Sequence, residues 1–192
     1  MRIIAREGLE AATTRAVAAE SGWSTGVLKY YFADKDDLLD HALRELEEVN
    51  VELLHEAADQ PTGFDQLRSA LIKILAGDPD HSRVWIAFLS RAATDARIAK
   101  EIKRGADAWQ RRWRTLVVQG QQDGSIRADL DPAETATELW ALVGGLRMAM
   151  LFGTGVDRPV QRDALQLLEG LRPGAEPVLS SSSPETRTQT RK

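Results

Sequence analysis

Between Thr13 and Phe32 the residues allow two short helices meeting at a sharp corner, and little else. Thr13 or Thr14 can cap the first by accepting backbone N–H groups, and Val17 and Ala18 form its apolar side. Gly22 ends it, in a left-handed conformation that a Cβ disfavours. Ser24 can cap a second helix running to about Tyr31. Ala18 supplies a small contact, Trp23 a plug for the corner, and Val17 and Leu28 a shared core, which together make a helix-turn-helix pattern. The spacing alone also suits a plain corner in a helical bundle. In DNA-binding versions the first turn of the second helix enters the major groove. The candidates there are Ser24, Thr25, Gly26, Val27 and Lys29. Lys29 can reach phosphate or a guanine edge, Thr25 a base, and Val27 a thymine methyl. The Tyr30 and Tyr31 hydroxyls suit phosphate contacts, which position rather than specify.

Helical periodicity continues along the chain, and no stretch shows the strict alternation of a half-buried strand. Arg2 to Glu7 reads as a helical stub stopped at Gly8. Asp34 can cap a fourth helix with Ala42, Leu46, Val49 and Leu53 along one face, ended by Pro61-Thr62-Gly63. Further helices are expected from Phe64 to Leu75, His81 to Ala93 and Arg97 to Gln122. Another runs from Pro132, capped by Asp131, to about Phe152, and a last one carries Leu165, Leu168 and Leu171. The Pro132 helix is apolar nearly all round, which predicts burial on more than one side. From Pro173 the chain turns polar, with Ser180 to Ser183, and is expected to be disordered. The predicted fold is all-α.

The 192 residues are 43% hydrophobic and 28% charged, the balance of a soluble globular protein. Without cysteine, disulfides, thiolate zinc sites and cysteine nucleophiles are excluded, and a reducing cytoplasm is the expected compartment. A net charge of −4 argues against non-specific coating of nucleic acid or acidic membranes, yet leaves room for a locally basic reading surface. The start is too short and charged for a signal core, and the apolar run Leu139 to Phe152 is too short for a bilayer span and carries Arg147.

Gly22-Trp23-Ser24-Thr25-Gly26-Val27-Leu28-Lys29-Tyr30-Tyr31-Phe32-Ala33-Asp34-Lys35-Asp36-Asp37-Leu38-Leu39 closely resembles the TetR family of bacterial regulators, as do Gly8-Leu9 and Thr13 to Ala18. The resemblance implies a helix-turn-helix head over residues 1–40, joined through helix four to a helical ligand-binding and dimerising body over residues 41–172, before the polar tail 173–192. It implies that Thr14 and Arg15 touch phosphate, that Ser24 to Tyr30 meet the groove and its walls, and that Lys35 meets phosphate at the start of helix four. Members are usually homodimers on palindromic double-stranded operators, released by a small molecule. Here only about two helical turns precede Gly8, where members usually have several, so the true start is expected upstream or the chain is shortened. The alternative is a dimeric helical relative that binds a ligand or protein but has lost DNA binding through its short first helix.

Trp85 and Phe88, then Trp109, Trp113 and Leu116, then Trp140, Met148 and Phe152 form a converging aromatic and apolar set on three body helices. Such a set suits an apolar or aromatic effector, and can also cage a quaternary ammonium. Core packing is the simpler account of each residue taken singly. Val84 to Leu89 and Asp129-Leu130-Asp131-Pro132 resemble a subgroup that includes the choline-responsive repressors of betaine synthesis and spans unrelated ligands. The last two helices are the expected dimer surface, through Leu142, Gly145, Leu146, Ala149, Leu165 and Leu168. Gly144-Gly145 either permits close helix approach or marks a kink.

Gly22 to Gly26 also matches the G-x-S-x-G nucleophile elbow, but that elbow needs a preceding strand, and helices flank this one. His41, His55 and His81 lack metal-ligand spacing, and no phosphate-binding glycine loop occurs. No catalytic centre, metal or cofactor is expected.

Overall fold

Capping chemistry sets the helix boundaries, because the first turn of a helix leaves backbone N–H groups without partners. The computed structural model describes residues 1–153 and 160–175, and nine α-helices and no strand occur among them. Helix α1 (Arg2–Glu7) stops at Gly8, whose φ of 84° lies in the region glycine tolerates, and a single 3-10 turn follows at Leu9–Ala11. Thr13 starts α2 (Thr14–Ser21), Gly22 ends it at φ 75°, and Ser24 starts α3 (Thr25–Tyr31). At α4 (Lys35–Ala57), Asp34 Oδ1 accepts from Asp37 N at 2.9 Å while Asp37 Oδ2 accepts from Ala33 N at 3.1 Å, a reciprocal cap. Thr62 caps α5 (Gly63–Ala76), Asp78 α6 (Pro79–Ala92), Asp95 α7 (Ala96–Gln122) and Asp131 α8 (Pro132–Phe152). The last helix is α9 (Val160–Glu169). None of them is long and apolar enough to cross a membrane, among the described residues.

Two apolar clusters hold the helices together. In the first, Ile4 and Leu9 meet Leu38, Leu39, Ala42, Leu43 and Leu46 of α4, and Val84, Phe88 and Ile98 of α6 and α7. The second joins Phe64, Leu67 and Leu71 of α5 to Trp113 and Val117 of α7, Leu139 of α8 and Leu168 of α9. The expected boundary at residues 40 and 41 therefore falls inside α4, and the first cluster crosses it. Although α1 is short, it buries both Ile3 and Ile4, worth about 1.5–3 kcal/mol each.

Three expectations need correction. Val49 is 46% exposed: it continues the side of α4 that carries Ala42 and Leu46, but it belongs to neither apolar cluster, so that side is uncovered at this point. Trp23 is 55% exposed and does not plug the corner; its ring rests 6.2 Å from that of Tyr31, and Ala18 and Leu28 are the buried residues of α2 and α3. Helix α8 is not buried on several sides within one chain: Thr135, Ala136, Leu139 and Arg147 face inward, while Met148, Met150 and Phe152 are exposed. The tail expected to be disordered lies outside the described residues from 176 onward; Ala175, just before it, accepts a 3.4 Å hydrogen bond from Arg127 Nη1.

The tightest crossing lies where α5 meets α7. Gly63 N donates to Asp123 Oδ2 at 2.7 Å and Phe64 N to Ser125 Oγ at 3.1 Å, so the loop after α7 serves the start of α5. A Cβ on Gly63 would overlap the Gly120 backbone and approach the Leu116 carbonyl to 2.7 Å. Backbone cannot step aside as a side chain can. Gly63→Ala is expected to lower stability by about 1–3 kcal/mol, read as a drop in the urea midpoint. An unchanged midpoint would show that the crossing tolerates a methyl group.

Candidate DNA-reading head and effector cleft

Thr13 Oγ1 accepts from Ala16 N at 3.1 Å and Ser24 Oγ from Val27 N at 3.2 Å, so each helix of the head is pinned by its own cap. Leu28 is the buried residue of α3; Thr25, Gly26, Val27, Lys29, Tyr30 and Tyr31 all face solvent, as does Ser24 before them. Tyr30 is 85% exposed, and its ring meets Tyr31 edge-on at 5.3 Å. Thr14 is half-buried and Arg15 exposed at the start of α2. Across residues 11–33 the acidic side chain is Glu20, which lies 3.5 Å from Arg2 and 3.4 Å from Arg6. Arg15 and Lys29 are both exposed and have no ion-pair partner among the described residues, which makes this stretch locally basic on an acidic protein. Lys35 differs from the expectation: its Nζ is 2.6 Å from Glu10 Oε2 and 3.1 Å from the Glu10 carbonyl, so phosphate would have to compete for it. That ion pair holds the Glu10 carboxyl below the usual carboxylate range.

The head is tied to the body by polar struts as well as by the first cluster. Arg91 of α6 bridges Glu10 at 3.1 Å and Asp95 at 3.3 Å. Arg97, at the start of α7, pairs with Asp40 and lies 3.2 Å from Asp36 on α4. His81 of α6 donates from Nε2 to the Leu46 carbonyl of α4 at 3.1 Å.

In the body, two small adjoining clefts share Trp85, Trp109 and Trp140. The first, about 50 Å³, is also lined by Trp113, Val143, Gly144 and Arg147; the second, about 40 Å³, reaches Glu47 and Gly105. Trp109 and Trp113 lie 5.7 Å apart. Gly144 faces Trp85: a Cβ there would stand 3.4 Å from the ring, in van der Waals contact with it. Glu47 is half-buried beside Gly105, where a Cβ would come within 2.5 Å of its Oε1, and burial pushes its carboxyl up. Four of the expected pocket residues do not line these clefts. Phe88 is fully buried in the first cluster, Leu116 packs on the second, and Met148 and Phe152 are exposed. One helical step explains the last pair. Positions 140, 144 and 147 face the cleft, so 145, 148 and 152 face away.

The expected dimer residues divide in the same way. Gly145 is exposed and Leu142 and Ala149 half-exposed. Leu146 and Leu165 pack against the chain's own core, and Leu168 is 1% exposed inside it. The residues missed by pattern are Arg147 and Glu47, the charged groups at the two cleft ends; an arginine inside an apolar helix was the available signal.

A corner of two capped helices with an exposed second helix, on an all-helical body with an internal cleft, defines a one-component DNA-binding regulator. The profile described as "BetI-type transcriptional repressor, C-terminal" matches residues 64–171, and that of "Bacterial regulatory proteins, tetR family" matches residues 1–42. The chain belongs to the TetR family, whose members are transcriptional regulators rather than enzymes. It is 27% identical over 176 residues to the HTH-type transcriptional regulator PksA of Bacillus subtilis, covering 88% of this chain and 84% of the relative. It is 35% identical over 104 residues to the regulator BetI of Stenotrophomonas maltophilia, a match that covers 48% of this chain and spans about half (50%) of that relative. A transcriptional regulator from Saccharomonospora viridis, crystallised in complex with choline, superposes with a TM-score of 0.76 at 24% identity, covering 88% of this chain and 90% of the other.

The His81 strut carries a pH dependence. Burial, with the nearby Arg147 charge adding to it, pushes the imidazole below its ordinary value, while the Leu46 hydrogen bond and Asp78 pull it back in part. The unfolded chain therefore takes up the proton first, so stability is full above about pH 6.5 and declines as pH falls below it. Glu47, pushed the other way, opposes this at lower pH, so the comparison must be with a variant. His81→Gln keeps an N–H donor without titrating, and thermal melts between about pH 7.5 and about pH 5 should show a flatter fall in Tm than the native chain. Parallel slopes would remove His81 from the account.

Proposed function

We propose that this protein is a cytoplasmic, ligand-gated repressor that grips a palindromic operator as a homodimer and releases it when a small molecule enters the tryptophan-lined cleft. The observation that carries this reading is α3, a capped helix that buries one residue and offers the rest, with Lys29 and two tyrosines, to solvent. A helix so exposed has no packing reason to keep that composition, whereas a major groove accepts it. Ser24 to Tyr31 would meet the groove and its walls, with Thr14 and Arg15 on phosphate.

Dimerisation is supported by the outward side of α8, where Gly145, Met148 and Phe152 follow one another at helical spacing without cover. Gating is supported by the placement of α6. Its Ser82 and Trp85 reach the cleft, while its His81 and Arg91 hold α4 and Glu10. An effector that displaces α6 would thereby move the head through α4. Operator half-sites lie about 34–36 Å apart per helical turn, so a shift of a few ångströms in head separation spoils the fit.

Anisotropy titrations with DNA from the neighbouring intergenic region test the head. Lys29→Ala and Tyr30→Ala should each weaken binding roughly five- to a hundredfold without lowering the Tm of the body, and native affinity should fall steeply with salt. Unchanged affinity in both variants would refute the groove assignment. For the dimer, Gly145→Glu is informative because a Cβ there meets nothing within 4 Å, so the single chain tolerates it. Sedimentation should give a dimer for the native chain and a folded monomer for the variant; a dimeric variant would place the interface elsewhere.

A further inference from the structure

We propose that the effector is an organic anion, a carboxylate on an apolar or aromatic body, and that Arg147 is the residue that holds its acidic group. This rests on the ligand-gated reading above and specifies the chemistry of that ligand.

Arg147 is 8% exposed, yet it sits in the middle of an apolar helix. Three other body arginines have carboxylates: Arg97 has Asp40 and Asp36, Arg91 has Glu10 and Asp95, and Arg127 has Asp129 at 2.6 Å. Arg147 has none within ion-pair distance among the described residues. Its Nε donates to Ser82 Oγ at 3.1 Å, and its Cζ stands 5.4 Å from the centre of the Trp85 ring. A guanidinium has five N–H donors in a fixed fork; among the described residues Ser82 is the protein acceptor found for them, and the two Nη atoms are not sealed away from solvent.

Burial lowers the Arg147 pKa to about 10, which still leaves it charged at neutral pH. It cannot shed its proton to relieve burial, as a lysine or histidine could. A buried cation of this kind is tolerated when an anion completes it. The remaining cleft wall shows what such an anion would carry. Ile74, Trp109, Trp113, Trp140 and Val143 present mainly apolar and aromatic surface and no charged group, which suits an apolar or aromatic body. Glu47, at the far end of the adjoining cleft, would repel a second acidic group, so the acid belongs at the Arg147 end. Both clefts are far smaller than the roughly 300–1,000 Å³ typical of ligand pockets. An effector therefore has to part the tryptophans that the clefts share, and doing so moves Trp85 on α6.

The test uses the full chain with phenylacetate, indole-3-acetate and octanoate, each against its neutral primary amide, and choline as a cation. Binding is read by tryptophan fluorescence, since Trp85, Trp109, Trp113 and Trp140 line the clefts, and independently by thermal shift. At least one carboxylate should bind at millimolar concentration or better, with roughly a tenfold or greater preference over its amide, the worth of one charge-assisted hydrogen bond. Arg147→Met should abolish that preference while melting at the same or a higher temperature, because it removes an uncompensated buried charge. Arg147→Lys should retain part of it. The proposal is overturned if none of the three carboxylates binds, if choline or the amides bind as well as the acids, or if the preference survives in Arg147→Met. Operator release is measured separately. A carboxylate that binds through Arg147 but leaves the DNA complex intact would sink the gating reading and not the anion site. Release by some other class of molecule, with no carboxylate bound, would do the reverse.

Discussion

The packing of α4 against α6 is the constraint on which the rest depends. Leu38, Leu39, Ala42, Leu43 and Leu46 share one cluster with Val84 and Phe88, so the head has no core that is wholly its own. His81 with the Leu46 carbonyl ties α6 to α4 directly, Arg91 ties α6 to Glu10 in the 3-10 turn, and Arg97 ties the start of α7 to Asp40 of α4. Apolar contact alone would permit sliding; these directional polar contacts around the seam do not. The exposed pairs add little stability individually, in the range of about 0–1 kcal/mol, so their contribution here is geometric.

Features set by a few neighbouring residues were legible in the sequence. The stops at Gly8 and Gly22, the caps Ser24, Asp34 and Asp131, and the proline at the first position of α8 all follow from backbone chemistry within a turn. The exposed face of α3 was legible for the same reason: fixing its start fixes its phase. The membership of the chain in the TetR family was carried by that same stretch.

Errors arose where a phase had to be held over several turns or where two elements had to be aligned. Met148 and Phe152 were expected beside Trp140, but a rotation of one residue step puts Arg147 inside and these two outside. Phe88 lies only one turn from Trp85 and yet faces α4 rather than the cleft. Trp23 occupies the position of a plug, but Ala18 and Leu28 are the buried residues of the two helices, and the indole is left exposed beside Tyr31. Apolar side chains on a nearly all-apolar helix carry no polar contrast from which to read orientation. Arg147 was the contrast available, and its meaning depends on Ser82 and Trp85, which only the assembled helices bring beside it.

Gly144 has a consequence of another kind. It stands in the cleft wall opposite the Trp85 ring, where an added methyl group would lie in contact at 3.4 Å and take up part of the space. No residue of α3 lines either cleft, so under the proposed gating substitutions at the cleft wall would alter what is sensed without altering what is read on DNA. The two specificities can drift independently as long as α6 keeps its grip on α4. Such a layout lets one regulator scaffold acquire new inducers while retaining its genomic address, and it marks the cleft wall as the place to begin when adapting this protein as a biosensor.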